Sequence, residues 1–160
     1  MRHEARVGQL LQTAEAHTRA RRWRRAVVAY RKVLRLAPAG DHRHELAQAR
    51  LADLHVAMGQ PERAVPHLKR AQVLAAEPEP EYALMLGHAF EAKGQPLQAA
   101  EALHDAVSSP THGGPALRAL ARLLAADGDR AAGRRLAAHA AARGDDPQAD
   151  RRLARDLADA

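Results

Sequence analysis

Cysteine, isoleucine and asparagine are absent from this 160-residue chain, and its only aromatic residues are Trp23, Tyr30, Tyr82 and Phe90. Without cysteine there is no disulfide framework, and thiol chemistry is excluded. No apolar run approaches the roughly 18 residues that a membrane helix needs, so no membrane insertion is expected. The first residues, Met1-Arg2-His3-Glu4-Ala5-Arg6, lack the apolar block of a signal peptide, and a cytoplasmic protein is the expectation. With few aromatic and β-branched residues, alanine and leucine must supply the core. Alanine is the strongest helix former, so the expected fold is all-α. Such a core excludes water only if the helices approach closely.

Charge is unevenly placed. Residues 1–40 carry ten Lys/Arg against two acids, Glu4 and Glu15. No arginine occurs between Arg70 and Arg118, where Glu77, Glu79, Glu81, Glu91, Glu101 and Asp105 face the single Lys93. The chain has a basic end and an acidic middle.

What is present is a repeat. Leu86 to Leu103 is an apolar helical run, a Gly94-Gln95-Pro96 break and a second alanine-rich run; about 35 residues earlier Gly59-Gln60-Pro61 divides the same design. Small residues lie five places after each turn glycine: Gly59 gives Ala64, Gly94 gives Ala99 and Gly128 gives Gly133. These are the expected crossing points of paired helices. Leu68, Leu103 and Ala137 follow four places on, then Ala71, Ala106 and Ala140, which is one helical face. The first unit lacks the glycine but has Trp23 after Arg21-Arg22, then Ala26, Tyr30, Val33, Leu34 and Pro38. Self-similarity at this period, with a helix–turn–helix inside each copy, indicates a helical repeat array. Ala26 to Ala64 spans 38 residues, against 35 and 34 for the later steps, so extra residues near Ala39–His42 should lengthen a loop or the third helix.

Pro61, Pro96 and Pro115 suit first helical turns, and Gly144 suits a stop. Pro66 falls inside the fourth helix, where a bend or a frayed turn is expected. Asp145-Asp146-Pro147 caps one more helix, whose Ala149, Leu153, Leu157 and Ala160 form an apolar stripe, with Arg151, Arg152, Arg155 and Asp156 left in water. Stacked hairpins need such a polar-backed end.

On Leu86-Gly87-Phe90-Ala99 and Ala26-Tyr30-Pro38 the chain resembles the tetratricopeptide repeat family. The resemblance implies a right-handed α-solenoid of about nine helices forming a single domain over 1–160. Its repeats would cover about 7–40, 45–78, 80–113 and 114–147, with a capping helix over 148–160. The chain departs from the family pattern where His17 and His55 replace an aromatic, where Gly133 replaces alanine, and where the fourth repeat lacks aromatics.

No catalytic constellation is found. Ser108, Ser109 and Thr111 sit beside Pro110 without a nucleophile elbow, and each glycine is spaced by the repeat rather than gathered into a phosphate cradle. His42-x-His44 would point in different directions on a helix, without a supporting ligand. His17 and His55 read as packed neutral histidines. The chain is therefore expected to be no enzyme and to use no cofactor or metal.

Two surfaces remain. Arg21, Arg24, Arg25, Arg31, Lys32 and Arg35 form a basic patch, either a solvated outer face or a site for something acidic. Nucleic acid is disfavoured because stacking aromatics are missing. The resemblance also implies a concave groove lined by the leading helix of each hairpin and receiving a peptide or helix of a partner protein. Mapped on this chain, the groove would present Leu11, Glu15, Thr18 and Arg19, then Ala49, Asp53 and Val56, then Leu84, His88 and Glu91, then Arg118 and Arg122. The family's carboxylate clamp for chaperone C-termini uses asparagine and lysine; Leu11 and Glu15 stand at the first clamp places, which argues against that partner. The expected function is a non-catalytic adaptor. The alternatives are a homo-oligomer, with the basic first repeat on the acidic third, and an anion binder acting through the arginines.

Overall fold

The computed structural model describes residues 2–159, all of whose regular structure is helical. The helices are α1 (Arg2–Arg19), α2 (Trp23–Leu36), α3 (His42–Ala57), α4 (Pro61–Leu74), α5 (Pro80–Ala92), α6 (Pro96–Ala106), α7 (Gly113–Ala126), α8 (Arg130–Arg143) and α9 (Pro147–Asp159). The chain divides into two compact units, Met1–Tyr82 and Ala83–Ala160.

The turns within hairpins share one design. Each closes with a backbone N–H reaching back five residues: Arg22 to His17 O, Gln60 to His55 O, Gln95 to Phe90 O and Asp129 to Leu124 O, all at 2.8–2.9 Å. The residue before each of these donors is left-handed, with φ of 69° at Gly59 and Gly94 and 98° at Gly128. In the first hairpin Arg21 holds that place with φ of 54°. A Cβ makes this conformation costly, so Arg21 is strained where the other repeats use glycine.

In the first unit, α1, α2 and α3 build a core of Val7, Ala14, Ala26, Tyr30, Val33, Ala47, Leu51 and Leu54. The crossing residues Ala26 and Ala64 are fully buried, as are Val33 and Ala71 on the same faces. The extra residues of this repeat lengthen α3, which has 16 residues against 13 for α5. The loop does not grow. Asp41 caps α3 by accepting from the Arg43 N–H at 2.9 Å. Its carboxylate also accepts from the Arg43 guanidinium, at distances down to 2.6 Å. Helix α4 runs through Pro66, which is exposed. The ring supplies no N–H, so the Glu62 carbonyl lacks its helical donor.

In the second unit Ala83, Leu103, Ala106, Ala116 and Ala119 form one cluster, and Ala121, Leu153 and Leu157 form another with Ala125, Leu136 and Ala137. Gly87 faces Leu103 so closely that an added Cβ would lie 2.4 Å from Leu103 Cγ. Gly133 faces the Ala121 carbonyl, 2.8 Å from where its Cβ would be. Small residues at these crossings are therefore a steric requirement. Gly144 ends α8 in the left-handed conformation (φ 69°). The Asp146 carboxylate then accepts from the N–H groups of Gln148 and Ala149 to start α9. Leu153 and Leu157 are buried while Arg151, Arg152, Arg155 and Asp156 are exposed; Ala160 lies outside the described residues.

Candidate functional site

Within the second unit, α5, α7 and α9 frame a concavity of about 1070 Å³. His88, Arg122, Arg151, Arg152, Arg155 and Asp156 are among the residues that line it. Arg118 reaches it too, but its side chain is only 9% exposed and donates to both Asp145 and Asp150 at 3.1 Å. Burial works against that guanidinium's charge, and the two carboxylates more than offset it. As a groove contact Arg118 is corrected: its charge is used inside the fold, holding α7 to the start of α9. Arg122 lies 3.6 Å from Glu91, which also contacts His88 at 3.5 Å. The His88 hydrogen bond, then the Arg122 charge, hold the Glu91 carboxyl below its ordinary range against partial loss of hydration.

The unneutralised charge comes from α9. None of Arg151, Arg152 and Arg155 joins an ion pair among the described residues. Sequence reasoning placed these arginines only as the wet back of a cap. The angular position that takes them away from Leu153 and Leu157 also turns them towards the cavity, and that depends on how α9 crosses α7. Leu84 is half-buried against the alanine cluster of this unit.

In the first unit, the expected groove residues gather around the Tyr30 hydroxyl. Thr18, whose hydroxyl donates to the Ala14 carbonyl at 3.0 Å, lies beside it, and Glu15, Arg50 and Asp53 are near enough to act on it electrostatically; burial, first, raises its pKa. Arg50 lies 3.4 Å from Asp53 and 4.0 Å from Glu81. Lost hydration raises the Asp53 pKa, and Arg50 opposes the shift. Leu11 and Val56 are half-buried and Arg19 is exposed, whereas Ala49 is 2% exposed and packs in the interior. Ala49 is thus a second correction. On a helix packed against both its hairpin partner and α2, its position faces inwards.

The basic patch divides. Arg21, Arg24 and Arg25 line a concavity of about 750 Å³ with Trp23 and Met58. Arg24, Arg25 and Lys32 also border a smaller one over α1 and α2. Arg31 instead lies near His55 and His67 and disfavours their protonation. Arg35 is exposed.

Several histidines make contacts within the fold. His44 Nδ1–H donates to the Ala37 carbonyl at 2.8 Å, and His42 lies 3.5 Å from Glu45. His67 Nδ1–H donates to Gln48 Oε1 at 2.7 Å, and its ring stacks on that of His55, centroids 5.6 Å apart. Ser109 accepts from the His112 N–H at 3.2 Å, closing its own turn. Among the described residues no cluster of three or more His, Asp or Glu could hold a metal ion, and no helix is long and apolar enough to cross a membrane.

Solved structures share this architecture. MamA from Desulfovibrio magneticus RS-1 matches with a TM-score of 0.77, over 89% of this chain and 77% of that one, at 20% identity. YrrB, described as a TPR protein with an unusual peptide-binding site, matches with a TM-score of 0.74 over 89% of this chain and 71% of that one, at 19% identity. The fold is a TPR-like α-solenoid. An O-GlcNAc transferase of Thermobaculum terrenum also matches (TM-score 0.77, 28% identity), covering 89% of this chain but only 27% of the enzyme. The TPR-like fold therefore occurs both in small proteins and within larger ones. No family model matches this sequence, and no curated protein does.

Proposed function

We propose that this chain is a non-catalytic interaction scaffold whose α5–α7–α9 concavity receives an acidic segment of a partner protein. The observation that carries the reading is the charge balance of that concavity. Arg118 is matched by Asp145 and Asp150, and Arg122 by Glu91, while Arg151, Arg152 and Arg155 outnumber the two other carboxylates of the lining, Asp146 and Asp156. One exposed arginine contributes little, about 0–1 kcal/mol. Three around one concavity steer encounter and select sign. In the first unit Arg19 and Asp53 are exposed and Glu15 is half-buried, and these inner-helix residues offer a second candidate surface. The peptide-binding site named for YrrB supports a peptide as the ligand class.

The test is selection from a displayed random peptide library on the immobilised chain, repeated on the chain carrying Arg151→Glu, Arg152→Glu and Arg155→Glu. Enrichment of Asp/Glu-rich peptides by the first and not the second is expected. Identical enrichment on both would remove the reading.

A further inference from the structure

The first hairpin leaves open a face that the second hairpin buries. In repeat register Leu10, Thr13 and His17 of α1 correspond to Gln48, Leu51 and His55 of α3. The α3 set is buried in the first unit, where α3 packs on α2. The α1 set is half-buried, exposed and half-buried in turn. Beside it α2 presents Val28, 54% exposed, and together they line a concavity of about 350 Å³. Arg24, Arg25 and Lys32 border it, and no acid does. The only acids of residues 1–40 are Glu4 and Glu15, and Glu15 acts on Tyr30 instead. The fourth hairpin meets the same need with α9, which lays Leu153 and Leu157 on Ala121, Leu136 and Ala137.

We infer that the α1–α2 face docks an acidic amphipathic helix supplied by a partner protein. An apolar stripe would cover Leu10 and Val28 as α9 covers its own hairpin, and flanking carboxylates would meet the basic rim. Among the described residues, a second copy of this chain offers no such helix. The outward side of α9 carries arginines, the acid-rich run at Glu77, Glu79 and Glu81 is interrupted by Pro78 and Pro80, and α6 sets Glu101 and Asp105 beside one exposed apolar residue, Leu97. This site is separate from the α9 concavity.

Trp23, the sole tryptophan, adjoins Arg24 and Arg25 and reports locally. The probe is a synthetic helix-forming peptide of about four turns, roughly 15 residues, with leucines at i, i+3, i+4 and i+7 and glutamates on its flanks. It is titrated into the full chain while Trp23 emission is followed. A saturable shift is expected, weakened about ten-fold or more by Val28→Glu and by Lys32→Glu, and by replacing the peptide's glutamates with lysine. Both side chains are exposed, so the thermal midpoint should stay put and separate lost binding from lost folding. The inference is overturned by absence of a saturable shift, or by affinity unchanged in Val28→Glu. It is also overturned if affinity is lost instead with Arg151, Arg152 and Arg155 reversed. Light scattering that shows a dimer abolished by Val28→Glu would assign the face to a second copy and equally overturn it.

Discussion

The Tyr82 hydroxyl donates to Glu45 Oε1 at 2.6 Å across 37 residues of sequence, with both side chains buried. Burial, then the bond to Glu45, push the Tyr82 pKa far upward, because a phenolate could neither donate nor tolerate the neighbouring carboxylate. Tyr82→Phe keeps the ring and leaves Glu45 without its donor, which should cost about 1–3 kcal/mol. Urea denaturation of the two proteins at neutral pH measures it; equal midpoints would contradict the assignment.

Acid should destabilise the first unit through its stacked histidines. Burial, first, holds both His55 and His67 below their ordinary pKa; at His55 Gln60 opposes the shift and Arg31 and Arg63 add to it, and at His67 the His55 ring and then Arg31 add to it. Unfolded, they protonate near pH 6.5. Stability is thus full above that value and falls as pH drops below it, since the unfolded chain takes up protons first. His55 Nε2 is buried without a partner, and Phe90 occupies the equivalent place in the third repeat. His55→Phe should therefore flatten the loss of thermal midpoint between pH 7 and pH 5. An unchanged slope would show that other groups govern it.

Arg21 holds the left-handed turn position that glycine fills in the other three hairpins. Arg21→Gly removes the Cβ clash but adds entropy to the unfolded chain, so a net gain of about 0.5–1 kcal/mol is expected. A thermal melt reads this as a raised midpoint, and a lowered one would mean that the arginine stabilises the turn.

Arg118 joins α7 to α9 through Asp145 and Asp150 from inside the second unit. Arg118→Ala leaves two carboxylates without their cation, one of them as buried as the arginine, at a cost of about 3–5 kcal/mol. Loosening α9 should also speed tryptic cleavage at Arg151, Arg152 and Arg155 well before global unfolding. Unaltered cleavage would separate Arg118 from cap docking.

The regular parts of the fold were legible because they are local. Ala26, Ala64, Ala99 and Gly133 announce the crossings, since any larger side chain there would strike the opposing helix, and Pro61, Pro96 and Gly144 mark helix ends through φ alone. Arg118, Ala49 and the α9 arginines were misjudged for a different reason. Their fate depends on partners 27 to 32 residues away for Arg118, and on helix crossing angles for the others, neither of which leaves a spacing signature. The His55–His67 stack was hidden likewise, although His55 was read from its repeat position as a packed, neutral ring.

The central claim is that the arginines of α9 select an acidic partner segment. Fluorescence anisotropy of a library-selected acidic peptide, titrated with the native chain and with the Arg151→Glu, Arg152→Glu, Arg155→Glu variant at low and physiological salt, tests it most directly. The account predicts that affinity falls at least about ten-fold in the variant and weakens with salt for the native chain. Equal affinities for the two proteins, or binding indifferent to salt, would contradict it.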